Sequence, residues 1–357
     1  MQQILSGFRE RIAAATADKA PLCLRGGASK DWYGQTLQGA VLDTRAYAGI
    51  IDYEPTELVI TARCGTPLAE IEAALTANHQ MLAFEPPHFG PGATVGGMVA
   101  AGLSGPGRAA VGSLRDVVLG VVMMDGQGQV LHFGGQVMKN VAGYDVSRLL
   151  TGSLGTLGVL LEVSLKVLPR PFDQASVQLS MGQAEAISRV NTWGGQPLPI
   201  TASLWQDDLL TLRLAGAQAA VAAAKRLIGG QEIDGGKLWA DAREQTLPYF
   251  AGVGQAADAT PLWRLSVPAT RAPLDLAGPQ LVEWGGAQRW LRSSVSAASI
   301  RAAASAAGGH ATLFRGGDKA AGVFQPLAPA VAKIHRHLKD AFDPAGIFNP
   351  GRMYPDL

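Results

Sequence analysis

Apolar residues recur with two periods along this chain, and the changes of period mark its elements. Ile4, Leu5, Phe8 and Ile12 fall three or four apart, so the opening segment reads as an amphipathic helix. PLCLR at 21–25 and ELVITARCG at 57–65 read as strands, while Leu68, Ile71 and Leu75 share one face of a helix over 67–77. DVVLGVVMM at 116–124, the turn residues DGQG, and QVLHF at 129–133 predict a hairpin. Tyr144, Val146, Leu149 and Leu150 keep helical spacing; glycines then stand at 152, 155 and 158 around the start of a long strand over 157–168. Glycine there costs ordering entropy and marks a close backbone approach. PRP at 169–171 ends the strand and marks a boundary.

Beyond it the pattern changes. Strand-like runs at 176–181, 200–205 and 208–214 alternate with helical stretches at 182–193 and 216–228. The theme resumes with strands at 262–268, 281–284 and 287–292, a helix at 296–307 and a strand at 310–315. Two split β-α-β units in series predict a ferredoxin-like α+β domain on an antiparallel sheet. Six of the seven tryptophans fall here and read as its core. Leu327, Val331, Ile334 and Leu338 make one stripe of a last helix. The expected domains are therefore 1–170, 171–325, and a tail, 326–357, returning to the first.

Composition narrows the function classes. The 357 residues suffice for about two cored domains, and a net charge of +1 with scattered Lys and Arg excludes bulk nucleic-acid binding. Cys23 and Cys64 stand in unrelated segments, which is no disulfide framework, zinc ribbon or iron–sulfur ligand set, and they read as packing residues of a cytoplasmic protein. Arg9, Glu10 and Arg11 interrupt any signal-peptide core. Residues 89–107 carry no charge but hold seven glycines and two prolines, so they read as a loop around a ligand rather than a membrane span.

The chain contains no G-x-G-x-x-G, no Walker phosphate loop and no G-x-S-x-G elbow. His335 and His337 lie two apart on a helix and point to different sides, so they cannot chelate one metal. What remains is three glycine-rich loops: RGGAS (25–29), GPGATVGGMVAAG (90–102) and GSLGTLGV (152–159). Any one alone reads as a tight turn. Together they suit a large, flat, anionic ligand, because backbone N–H groups can converge on a pyrophosphate without Cβ interference. Gly96 and Gly97 open a short helix whose N-terminus is expected to add its dipole, and the edge at Gly158-Val159 is expected to lie against a planar ring.

Those loops, in their order, resemble the FAD-binding domain of the vanillyl-alcohol oxidase superfamily, the PCMH fold. The match also draws on GSLRDVVLGVVMMDGQGQVLHFGG and KNVAGYDVSRLLTGSLGTLGVLLEVSLKVLPRP. DPAGIFNPGR at 343–352 resembles the ending of the 2-hydroxy-acid dehydrogenase branch. DYEPTELVITARCGTPLAEIEAAL and MLAFEPPHFGPGATVGGMVAAGLSGP look most like the small flavin-binding subunits of bacterial glycolate oxidases. The resemblance implies that Arg25, Gly26, Gly27, Ala28, Ser29 and Lys30 form the first pyrophosphate loop. It assigns Gly92, Ala93, Thr94, Val95, Gly96 and Gly97 to the second, with Ser104 beyond it. Gly155, Thr156, Gly158 and Val159 line the ribityl chain and isoalloxazine, and Asn349 joins them from the tail. With Ser29 and Lys30 after the first loop, and no linking histidine or cysteine, the FAD is expected to be noncovalent.

Two departures bear on catalysis. Catalytic relatives carry a histidine pair that holds a metal; here GGHATLFRGGD keeps His310, but Gly317 stands where the second would be, so no metal site is expected. Those relatives also read Gly-Ser-Glu-Gly where this chain has Gly152-Ser153-Leu154-Gly155. One reading is an enzyme subunit that oxidises a 2-hydroxy acid such as glycolate, with Arg315 as carboxylate anchor, His310 as base and Arg352 as a second cation. The other is a flavin-holding or electron-relay subunit. Both imply a complex with a larger FAD-containing 2-hydroxy-acid dehydrogenase subunit and an iron–sulfur subunit, peripheral at the inner face of the membrane.

Overall fold

The strand Val159–Lys166 is apolar at nearly every position, and such a strand must be covered on both faces. The computed structural model, which describes residues 1–135, 145–254 and 260–357, places it so. It is the middle of a five-stranded sheet ordered Ile50–Glu54, Val59–Arg63, Val159–Lys166, Val118–Met124, Val130–Gly134, antiparallel throughout. On one face Leu160, Val163 and Leu165 pack with the helices Leu68–Ala77 and Val95–Ala101 through Leu68, Ile71, Leu75 and Met98. On the other, Val159 and Leu161 meet Phe8 and Ile12 of the helix Gln2–Asp18, together with Leu22, Leu42, Ile347 and Phe348. Leu22–Arg25 and Ala40–Asp43 pair in parallel beneath them.

The expected hairpin is present, but its first strand starts at Val118. Residues 114–117 turn helically instead, because Asp116 accepts the Ser113 backbone N–H at 2.8 Å. Of the helix expected around 144–150, the described part is the single turn Val146–Leu149; Tyr144 lies outside the described residues. In the last helix, Pro329–Phe342, the expected apolar stripe faces the core only at its end. Val331 and Ile334 are 42% and 58% exposed, while Leu338 and Phe342 pack inward and Lys339 is buried. Among the described residues, no helix is long and apolar enough to cross a membrane.

Met1–Leu103, Ser113–Pro169 and Pro326–Leu357 form one compact unit; Ser104–Gly112 and Arg170–Gln325 form another. The short excursion 104–112 departs from the sequence expectation. Trp284 Nε1 donates to Gly105 O at 3.0 Å, and the Arg108 guanidinium lies 4.5 Å from the Trp284 ring, so this polar, glycine-bounded stretch finds its partners in the second unit.

The second unit is an α+β domain on one eight-stranded sheet. Its order is Gln231–Ile233, Asp173–Ser180, Leu209–Gly216, Ile200–Gln206, Gln280–Glu283, Gln288–Arg292, Leu262–Ser266, His310–Arg315. Each half keeps the strand order of a split β-α-β unit, and the halves meet edge to edge where Leu204, Trp205 and Gln206 pair with Glu283, Val282 and Leu281. Helices Gln183–Gly194 and Gln218–Ile228 cover one half, and Ala297–Ala306 the other. The second half lacks a first helix because residues 267–279 carry Pro268, Pro273 and Pro279. Trp193, Trp239, Trp263 and Trp290 are buried in the second unit, and Trp205 and Trp284 are half-buried.

Candidate cofactor site

Strand Leu22–Arg25 ends at Gly26, and the next loop touches the second glycine loop backbone to backbone. A Cβ on Gly27 would lie 1.3 Å from Gly92 O, and one on Gly26 would lie 2.4 Å from Thr94 Oγ1. Ala28 holds φ +61°, a left-handed conformation that costs energy for a residue with a Cβ. The N–H groups of Gly27, Ala28 and Ser29 donate to no backbone carbonyl among the described residues. Three successive donors in such a turn make an anion-binding concavity. Arg25 pairs with Asp31 at its rim, and Lys30 Nζ donates to His88 O at 3.1 Å and lies 5.6 Å from the Phe89 ring.

The second loop does a different job from the one expected. Val95 N donates to Thr66 O (2.9 Å), Gly96 N to Cys64 O (2.7 Å) and Gly97 N to Thr94 Oγ1 (3.2 Å). The first-turn donors of the helix Val95–Ala101 are therefore spent inside the protein, and the dipole contribution is not available in the form anticipated. Gly92, Ala93, Thr94 and Val95 shape the cradle. Gly96 lets the helix sit on Cys64, where a Cβ would approach within 2.9 Å.

The third loop has three glycines for three reasons. Gly152 adopts φ +84° in open space. Gly155 adopts φ +72° against Asn349 Nδ2, 2.8 Å from where its Cβ would be. Gly158 is pressed by its own sheet, since a Cβ there would meet Met123 Cε at 2.2 Å and Met124 O at 2.7 Å. Thr156 turns its hydroxyl to Ser153 O at 2.8 Å. Leu24, Arg25, Gly26, Gly97, Gly155 and Val159 lie around an open cleft to which each of the three loops contributes a glycine. A flat ring with an anionic tail fits that shape and donor set. Ser104 begins the segment that clusters with the second unit.

The tail braces the cleft. Asn349 Nδ2 donates to Leu154 O at 2.7 Å, and its Oδ1 accepts Leu24 N at 2.8 Å. Arg352 is a correction: it is not a free substrate cation. Its guanidinium is buried and donates to the carbonyls of Asp31 (2.9 Å), Lys30 (3.4 Å) and Gln35, fastening the loop after the anion nest; burial holds its pKa down.

His310 and Arg315 begin and end one edge strand of the second unit. At roughly 3.3 Å per residue they stand about 16 Å apart, too far to grip one two-carbon acid. The cation that accompanies His310 is Arg264 on the neighbouring strand, where it pairs with Thr312, two residues along from His310. Partial desolvation, then the Arg264 charge, hold the His310 pKa below its ordinary value, although the residue is exposed. Burial pushes Arg315 down to about 10. Sequence reasoning missed Arg264, and it also missed Glu283, a buried carboxylate that accepts from Gln288 Nε2 at 3.0 Å and Trp290 Nε1 at 2.5 Å. It missed the buried Lys339–Asp343 pair as well, which the i,i+4 spacing could have signalled. No group of three or more His, Cys, Asp or Glu suited to a metal occurs among the described residues.

The FAD binding domain family matches residues 8–134. The chain is 50% identical to the glycolate oxidase subunit GlcE of Escherichia coli K12 over 98% of its own length and 97% of that protein. It is 31% identical to a D-lactate dehydrogenase of Archaeoglobus fulgidus over 44% of the chain and 36% of that protein. Among solved structures, p-cresol methylhydroxylase superposes with a TM-score of 0.69 at 14% identity, covering 99% of this chain and 87% of that one. An alkyldihydroxyacetonephosphate synthase gives 0.64 at 16% identity, covering 96% and 74%. The fold is thus the PCMH-type flavoprotein fold expected from the sequence, and by identity along nearly its whole length this chain belongs to the GlcE family of glycolate oxidase subunits.

Proposed function

We propose that this chain is an FAD-binding subunit of a glycolate oxidase and acts within a multi-subunit assembly that oxidises glycolate to glyoxylate. The observation that carries the reading is a cleft lined by glycines of all three loops, adjoined by a turn whose Gly27, Ala28 and Ser29 N–H groups donate to no backbone carbonyl among the described residues, in a chain half identical to GlcE. When bound, FAD would supply the two-electron acceptor for the hydride on C2 of a 2-hydroxy acid. The residues around it have simpler tasks. Gly27–Ser29 hold the pyrophosphate, while Leu24, Leu154 and Val159 keep water from the ring. Arg264 attracts the substrate carboxylate, and the neutral imidazole of His310 takes the hydroxyl proton.

A second reading, a flavin-holding or relay subunit, draws support from the distance between His310 and Arg315 along one strand. In either case a larger FAD-containing 2-hydroxy-acid dehydrogenase subunit and an iron–sulfur subunit complete the assembly, at the inner face of the membrane. The test is anaerobic glycolate added to the purified chain and to the assembly co-purified with it, following the flavin's visible bands. Bleaching in the assembly supports the proposal. Bleaching of the chain alone at the same rate makes it a self-sufficient enzyme, and a chain devoid of flavin in both preparations refutes the proposal.

A further inference from the structure

Two carbonyls on the 154–156 loop, Leu154 O and Thr156 O, are held by side chains of the tail. Leu154 O accepts from Asn349 Nδ2 at 2.7 Å. Thr156 O accepts from Lys339 Nζ at 2.8 Å. The lysine is 7% exposed and places its other two protons on Asp343 Oδ2 and Phe348 O, both at 2.7 Å, so all three donors are satisfied. Asp343, 1% exposed, also accepts Phe348 N at 2.8 Å and Ile347 N at 3.1 Å. Burial lowers the Lys339 pKa, and Asp343 opposes that shift. A buried pair of this kind is weak evidence for stability but good evidence for a fixed geometry, since its removal leaves several polar groups unpaired.

That geometry has a direction. In a trans peptide the N–H lies opposite the C=O. Holding Leu154 O toward the tail therefore turns the Gly155 N–H to the other side, and Gly155 lines the cleft. Two carbonyl dipoles that would repel an anionic or electron-rich ligand are withdrawn from it. We propose that Lys339, Asp343 and Asn349 are positioning residues for the flavin: by drawing the carbonyls of the 154–156 loop outward they aim its N–H dipole at the ring. This rests on the flavin reading above. The three act through the loop and touch no reacting atom.

The test uses flavin-loaded full-length protein and three variants. Lys339→Met removes the donor to Thr156 O, Asn349→Ala removes the donor to Leu154 O, and Arg336→Gln breaks only the exposed pair with Asp356 on the same helix. Flavin release is read from the rise of free-flavin fluorescence well below each protein's melting temperature, with far-UV circular dichroism confirming the fold. The flavin midpoint potential is read on the loaded protein. Lys339→Met and Asn349→Ala are expected to release flavin at least tenfold faster and to shift the potential downward, while Arg336→Gln matches wild type. A merely structural role would lower the melting temperature and leave the potential and the release rate of folded protein unmoved. Release and potential within twofold and within error of wild type for Asn349→Ala, which spares the ion pair, would overturn the proposal even if Lys339→Met fails to fold. Flavin-free wild-type protein would instead overturn the flavin reading itself.

Discussion

Gly97 and Gly158 both border the cleft, yet valine at the two positions should fail in different ways. A Cβ on Gly97 finds only Thr94 Oγ1 within 4 Å, at 3.3 Å, so a shift of that hydroxyl by a few tenths of an ångström admits it. Gly97 lies in the helix Val95–Ala101, where valine is better than glycine by about 0.3 kcal/mol, and the flavin-free protein should be no less stable. The isopropyl group, however, occupies space at the cleft floor. Forcing a ligand past it carries an overpacking cost of about 1–3 kcal/mol. At about 1.4 kcal/mol per decade, that is roughly 5- to 150-fold in flavin affinity. At Gly158 the same residue collides with Met123 Cε, which can move, and with Met124 O at 2.7 Å, which is held in the sheet. There the cost falls on the fold and lowers the urea midpoint with or without flavin. Flavin per chain after gel filtration, a fluorescence titration of the flavin-free protein, and urea unfolding read the three quantities. Wild-type affinity in Gly97→Val, or an unchanged urea midpoint in Gly158→Val, would refute the reasoning.

Acid precipitation should leave yellow flavin in the supernatant, because no histidine or cysteine stands at residues 25–30; colour kept in the pellet contradicts noncovalent binding. Both thiols are buried, and burial pushes Cys23 and Cys64 up, so a thiol reagent near pH 8 should label neither until denaturant exposes both. The lowered His310 pKa moves its protonation below the ordinary value of 6.5, so the acid limb of kcat/KM of the assembly should fall at a lower pH than that of an ordinary histidine base. His310→Gln should remove that limb, and an unchanged profile excludes it as the base. Arg289, 1% exposed, donates to the carbonyls of Gly286 (3.1 Å), Ala272 (2.7 Å) and Arg271. Arg289→Met leaves those carbonyls without their donor and should destabilise the second unit by about 1–3 kcal/mol for a buried unsatisfied acceptor, measured as a lowered urea midpoint.

Elements with a strong apolar period were legible in advance. The helix Leu68–Ala77, the strand Val159–Lys166 and the strand run of the second unit follow from spacing alone, because burial of one face is a local property. What spacing does not carry is partnership. The pairing of Leu204 with Glu283 joins residues from separate halves, and nothing near either announces it. The 104–112 excursion is a second case, decided by Trp284, which lies far along the chain. In the site, three glycine loops pointed to a cofactor, yet glycine looks the same whether a ligand or Met124 presses on it. Lys339 was invisible for the opposite reason: a charged side chain reads as solvated, and only its three acceptors in the fold reveal otherwise.

The edge-to-edge seam of the second unit has a kinetic meaning. Three residue pairs, 204–206 with 281–283, are all that continue the ladder from one half-sheet to the other, whereas Asp173–Ser180 and Leu209–Gly216 are paired over their full lengths. Each half has its own helices and its own apolar cluster. Amide protons at the seam should thus exchange with solvent through sub-global openings that leave the protons within each half protected. The sheet is continuous in its hydrogen bonds and divided in its cooperativity, so the unit opens as two foldons rather than one.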